Sequence, residues 1–140
     1  MRRQRGLTFV TVLIVVAAGA ALFWAITYGE AYWENIEVNR VLHEAANLCY
    51  RETNDEVVKG FITKEMHHLF DSKVEAYGKV DTVMRVDFDP QDISIQRTEI
   101  PHYVHIWLTY GRTVKMPFVG GERQVVFNDH AEQDLSPVKW

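Results

Sequence analysis

Hydrophobic and polar positions along the chain change their period twice, and each change predicts a different element. From Leu7 to Tyr28 the sequence reads LTFVTVLIVVAAGAALFWAITY, apolar on every side and without a charged residue. As a helix this run is ~33 Å long, close to the ~30 Å hydrocarbon thickness of a bilayer. A soluble domain seldom holds a helix with no polar face, so the run predicts a transmembrane span. Beyond Gly29 the apolar positions Ala31, Val38, Leu42, Ala45 and Cys49 recur at three- and four-residue spacing, with Trp33, Ile36, Val41 and Leu48 widening the stripe. That is an amphipathic helix, and no proline separates it from the span, so one rod through both is expected. Thr53 to Glu56 forms a capping box, and a second helix follows with Val58, Phe61, Ile62, Met66, Leu69 and Phe70 on one face, running to about Tyr77.

From about Val80 the period becomes two. Met84, Val86 and Phe88 alternate with Val83, Arg85 and Asp87 in a half-buried strand ending at Asp89-Pro90, and Ile93 and Ile95 continue the alternation. After Pro101 the even positions Val104, Ile106, Leu108, Tyr110, Val114, Met116 and Phe118 form one apolar series, interrupted by Arg112. The parity does not flip at Gly111, which predicts one long bent strand across it, with a break into two strands as the alternative. Val119-Gly120-Gly121-Glu122 reads as a hairpin turn, with Arg123 to Asn128 as the return strand. Pro117 lacks a ladder donor and belongs at a sheet edge or strand end. The fold class is therefore α+β: an N-terminal transmembrane helix continuous with an amphipathic helix, a second helix, then a three- or four-stranded antiparallel sheet. The layout is residues 1–6 as a basic leader, 7–28 as the span and 29–140 as an exported domain.

Charge orients the span. Arg2, Arg3 and Arg5 precede it, while Glu30, Glu34 and Glu37 follow. Basic flanks stay in the cytoplasm, so the N-terminus is expected inside and the domain outside the cytoplasmic membrane of a bacterium. Trp24 and Tyr28 sit near the exit, where amphipathic rings favour the headgroup layer. Only three of the 15 Lys and Arg precede the span; the rest of the chain sets 12 of them against all 19 acidic residues, a formal charge of −7. This argues against nucleic acid or anionic lipid as the main partner of the outer domain, leaving the lipid bilayer as the partner of the span and envelope proteins as partners of the domain. The rival reading is a cleaved secretory signal ending at Ala18-Gly19-Ala20, but the apolar run continues through Ile26, which suits an anchor. Cys49 is the sole cysteine, so no disulfide forms within one chain, and a buried apolar role is expected for it.

No motif carries catalysis, a cofactor or a metal. His43-Glu44-Ala45-Ala46-Asn47 lacks the second His that a zinc-protease helix requires. His67 and His68 are adjacent on a helix and diverge, and His102 and His105 point to opposite faces of a strand. Asp87, Asp89 and Asp92 lack the Gly and Glu of a calcium loop and read as a turn. There is no phosphate loop and no nucleophile elbow, and the expectation is a protein that is not an enzyme. Tyr103 and Trp107 lie on the strand face opposite the apolar series, where they either pack under a helix or make partner contacts. Thr8 and the small residues Ala17 to Ala21 would let another helix approach closely in lipid.

Arg5-Gly6-Leu7-Thr8-Phe9, running straight into the apolar segment, resembles the start of a type IV pilin or pseudopilin. The resemblance implies cleavage of the leader after Gly6, with Leu7 as the new and methylated N-terminus. It implies a long, half-buried N-terminal helix against an antiparallel sheet. Pilins usually carry Glu at the fifth mature position, where this chain has Thr11. Some minor, tip-located pseudopilins also lack that Glu, so the resemblance implies a minor assembly component and not a major filament subunit. The whole chain is similar to small bacterial proteins that join a pilin-like N-terminus to a short α+β domain. The alternative is a plain signal-anchored periplasmic domain that binds a ligand or regulates an envelope complex.

Overall fold

A computed structural model describes residues 5–137, with side chains from Thr8 onward. Helix α1 (Arg5–Leu48) is unbroken over 44 residues, about 66 Å at 1.5 Å per residue. Neither Gly19 nor Gly29 interrupts it, and neither is packed against anything. Its most apolar stretch has a mean hydropathy of 2.6 and none of it is buried. The second half is amphipathic as expected: Ala31, Val38, Leu42, Ala45 and Cys49 are all buried, as are Val41 and Ala46. Trp33 and Ile36 do not join that stripe; they are 69% and 60% exposed on the far side of the helix.

Helix α2 (Asp55–Phe70) packs Val58, Ile62, Met66 and Phe70 into the core. Its cap is Asn54, whose side-chain oxygen accepts the Glu56 N–H at 3.0 Å, so the capping box at Thr53 is not used. The first turn carries Asp55 and Glu56 and the last His67 and His68, matching the helix dipole. α2 ends at Phe70, seven residues before Tyr77. The intervening residues form an exposed hairpin, β1 (Asp71–Ala76) and β2 (Lys79–Met84), turning at Tyr77 and Gly78 with φ of 52° and 75°. Positive φ at both central residues is the two-residue turn whose twist suits paired strands. The expected strand through Phe88 is thus divided at Arg85, whose N–H donates to Phe70 O, leaving only Val86–Asp87 as β3.

The main sheet is built on β5 (His102–Lys115), continuous across Gly111. β6 (Glu122–Asp134) pairs with it from Tyr103↔Asp134 to Lys115↔Glu122, extending six residues past the expected end at Asn128. A strand has two edges, so β4 (Ile93–Glu99) and β3 share the other, β4 along 102–108 and β3 at 111–112. A cis Ile100–Pro101 bond lies in the β4–β5 connection. The fold is α+β, with a two-stranded and a four-stranded antiparallel sheet. The even positions Val104, Ile106, Leu108, Tyr110 and Val114, with Phe127 and Ala131 of β6, meet the helices in one core. Met116 is only half-buried, and Phe118 leaves the apolar series altogether: it is 97% exposed at the β5–β6 turn.

Candidate functional site

Alternation on β5 places Tyr103, His105, Trp107 and Thr109 on the face opposite the helix-covered core. Tyr103 and Trp107 therefore do not pack under a helix; Trp107 is 37% exposed. The antiparallel register sets Glu132 opposite His105 and His130 opposite Trp107. Four rings gather there: His105 and His130 at 5.3 Å between centroids and 11° between planes, Trp107 and His130 at 5.0 Å and 13°, His105 and Trp107 at 5.5 Å, and Tyr103 beyond. His105 Nδ1 lies 3.1 Å from His130 Nε2, so one nitrogen donates a proton and the other accepts it. Glu132 Oε2 lies 3.6 Å from the same Nδ1. Among the described residues, His105, His130 and Glu132 are the group able to hold a metal ion, with donor atoms within 4.8 Å of one another. Sequence reasoning missed this trio because His130 lay beyond the expected end of the strand. Its signal was the Gly120-Gly121 turn: counting outward equally from residues 118 and 119 pairs 105 with 132.

A second set of polar groups joins α1 to the sheet. Arg112, which interrupts the apolar series, reaches Glu34 of α1, with Nε 3.2 Å from Oε2, and Arg85 Nη1 meets Oε1 at 2.9 Å. Side-chain exposure is 13% for Arg112 and 17% for Glu34. Oε2 and Arg112 Nε have no aligned hydrogen-bond partner, so their contact is charge attraction without a directed bond. Next to it, the Asn35 amide nitrogen, turned toward the sheet, donates to Asp129 at 2.7 Å and to the Tyr110 hydroxyl at 2.8 Å. Asn39 adds a bond to Asp129 at 3.3 Å. Burial pushes the Asp129 carboxyl up, partly offset by the bonds from Asn35 and Asn39. Burial, with the charges of Asp129 and Glu34, pushes the Tyr110 phenol up. The Cys49 thiol is raised by burial, in keeping with a core role.

At the other end of the domain, Trp24, Tyr28 and Tyr32 of α1 face Arg123 to Val126 of β6 across a cleft of about 450 Å³. Trp24 lies 5.9 Å from Tyr28 and 5.6 Å from Tyr32, and Tyr32 meets Phe127 edge-on at 5.5 Å. Of the remaining sequence-predicted positions, Arg5, Gly6 and Leu7 belong to α1, while Arg2 and Arg3 lie outside the described residues. His43, His67, His68 and His102 are exposed and apart from the His105 group; His43 is on α1, across the sheet from His105. Asp89 caps a short turn, accepting the Gln91 N–H at 2.9 Å. Comparison with family models, curated proteins and solved structures finds no match to this chain.

Proposed function

We propose that this protein is a single-pass membrane protein of a bacterial cell envelope, anchored by residues 7–28, with its α+β domain outside the cytoplasm and making protein contacts there. One observation carries the reading. No residue in the most apolar stretch of α1 is buried by the rest of the chain, although the same helix buries its sheet-facing side from Thr27 onward. Left in water, that surface would be a far larger apolar patch than a soluble monomer displays. A bilayer covers it without any further protein. The unbroken helix then holds the domain rigidly at the membrane, with Glu34, Asn35 and Asn39 fixing its orientation on the sheet.

Within this reading the N-terminal Arg5-Gly6-Leu7-Thr8-Phe9 supports a minor pilin-like assembly component, processed after Gly6. Thr11 favours the second reading, a plain uncleaved anchor carrying a regulatory or ligand-binding domain. Alkaline extraction followed by intact-mass measurement of the membrane-bound protein separates them. A mature chain starting at Leu7 and one methyl group heavier supports assembly, whereas an intact leader ends the pilin-like reading. Release into the alkaline supernatant refutes the anchor.

A further inference from the structure

We infer that the β5–β6 turn is a second membrane-contacting element, a lipid-interface wedge that inserts Phe118 and Val119 beside the anchor helix. This rests on the anchored reading above. β6 lies along α1, with Asp129 at Asn35 and Asn39, Phe127 at Tyr32, and Arg123 and Val125 at the cleft with Trp24 and Tyr28. From Phe127 back to Glu122 is a climb of about 17 Å at ~3.4 Å per residue. The same distance spans about eleven residues of helix, which reaches the level of Ala21. The turn lies beyond Glu122, so it stands alongside the apolar half of α1, past the Trp24 and Tyr28 rings. The Ala21 level is about 10 Å below Tyr28, so an anchor whose Trp24 and Tyr28 rings lie in the headgroup layer carries the tip to the boundary of headgroups and hydrocarbon.

The chemistry of the turn fits that depth. Phe118 is 97% exposed and Val119 74%, with Pro117 and two glycines completing an uncharged tip. Phe118 is held at φ 69°, with the Val119 N–H donating to Pro117 O at 2.9 Å. A bulky residue in that conformation is strained, and here the strain presents an aromatic ring to the outside. At the foot of the tip Lys115 pairs in register with Glu122, and Arg123 follows, so two long basic side chains beside one carboxylate stand where lipid phosphates lie. A hairpin touching the bilayer also fixes the rotation of the domain about the anchor, which a lone helix does not.

The test uses the full chain with Cys49→Ala, reconstituted into phosphatidylethanolamine and phosphatidylglycerol vesicles. An environment-sensitive fluorophore is placed at Ile14→Cys, Val119→Cys or Glu99→Cys, the last at the opposite end of the sheet. Lipids carrying a shallow nitroxide quencher report depth. The proposal expects blue-shifted, quenched emission at 119, none at 99, and loss of the quenching at 119 when Phe118→Ser is added. Water-like emission at 119 with a quenched probe at 14 overturns the wedge and leaves the anchor standing. Water-like emission at 14 overturns both.

A separate observation carries a metal site. The structure assigns His105, His130 and Glu132 to a Zn²⁺ ion, with Cu²⁺, which the same imidazole donors take, as the spectroscopic probe. Bonds of 2.0–2.1 Å in a tetrahedral site put donors about 3.3 Å apart. The separations of 3.1 Å and 3.6 Å from His105 Nδ1 bracket that value, and all three donor atoms lie within 4.8 Å of one another, a spread that side-chain rotation can close. Trp107 against His130 makes an internal reporter, since bound Cu²⁺ quenches a neighbouring indole. Full-length protein without a histidine tag is titrated in detergent by calorimetry and fluorescence. One equivalent of Cu²⁺ should bind with a quenching phase that disappears in Trp107→Phe, and His130→Ala should abolish the stoichiometric binding. Absence of stoichiometric binding, or binding unaltered in His130→Ala, overturns the assignment.

Discussion

Removing Glu34 should loosen α1 from the sheet by more than any surface ion pair could account for. Glu34→Ala leaves Arg112, 13% exposed, with the Arg85 carbonyl at 3.4 Å and, as its only nearby carboxylate among the described residues, Glu30, 3.6 Å away and 72% exposed. Breaking a fully buried pair costs about 3–5 kcal/mol, and an exposed pair is worth about 0–1 kcal/mol. Partial exposure and the Glu30 substitute place this case at about 2–3 kcal/mol. With an m-value of about 1.5 kcal/mol per molar urea, the midpoint should fall by about 1.3–2 M. Pulse proteolysis of the full chain in detergent micelles across a urea series reads that midpoint for the domain. The loss is an uncompensated charge, so Glu34→Leu combined with Arg112→Met should lie within about 1 kcal/mol of the parent. Arg85 tolerates the change because it already reaches solvent at 36% exposure. A loss below about 0.5 kcal/mol in Glu34→Ala, the range of surface substitutions, or a double variant as unstable as the two single losses combined, would refute this reasoning.

Asp129 should make stability fall with rising pH. Burial raises its folded pKa above the unfolded value, so its favourable contribution is full below the unfolded pKa and is lost as pH climbs through the folded one. Asn35 and Asn39 of α1 and the Tyr110 phenol of β5 face this carboxyl, and the two asparagine bonds moderate the effect. Urea midpoints at several pH values should therefore differ less in Asp129→Asn than in the parent; an unchanged profile contradicts the assignment. Leu42→Ala, at a fully buried position, should cost about 2–5 kcal/mol, while Trp33→Ala on the exposed side should change domain stability by no more than about 0.5 kcal/mol, both by pulse proteolysis. Tyr77→Asn should raise hydrogen-exchange protection in β1 and β2, because Asn accepts the positive φ that Tyr77 adopts before Gly78; equal or lower protection refutes it.

Much of the fold was legible because burial imposes a period. The uncovered run in α1, its stripe from Ala31 to Cys49, and the even face of β5 across Gly111 all follow from which sides meet the core. The strand expected from about Val80 overlaps β2, but its partner β1 was not legible because neither face of the hairpin is buried: Val74, Val80 and Val83 are 46–61% exposed. Trp33 and Ile36 misled for the complementary reason, being apolar residues on an uncovered helix face. The His105 group and the Glu34–Arg112 pair depend on cross-strand register and helix–sheet docking, which residue spacing within one element does not encode. Arg112 alone left a trace, as the charged residue in an apolar series.

The orientation and depth of the whole chain rest on residues 7–28 crossing the membrane with the domain outside. A Cys49→Ala chain carrying Glu99→Cys, expressed in intact bacterial spheroplasts and treated with a membrane-impermeant maleimide, tests that most directly. The account predicts complete labelling at position 99 before lysis, with the labelled protein retained in the membrane pellet after alkaline washing. Labelling only after lysis, or labelled protein in the supernatant, would contradict it.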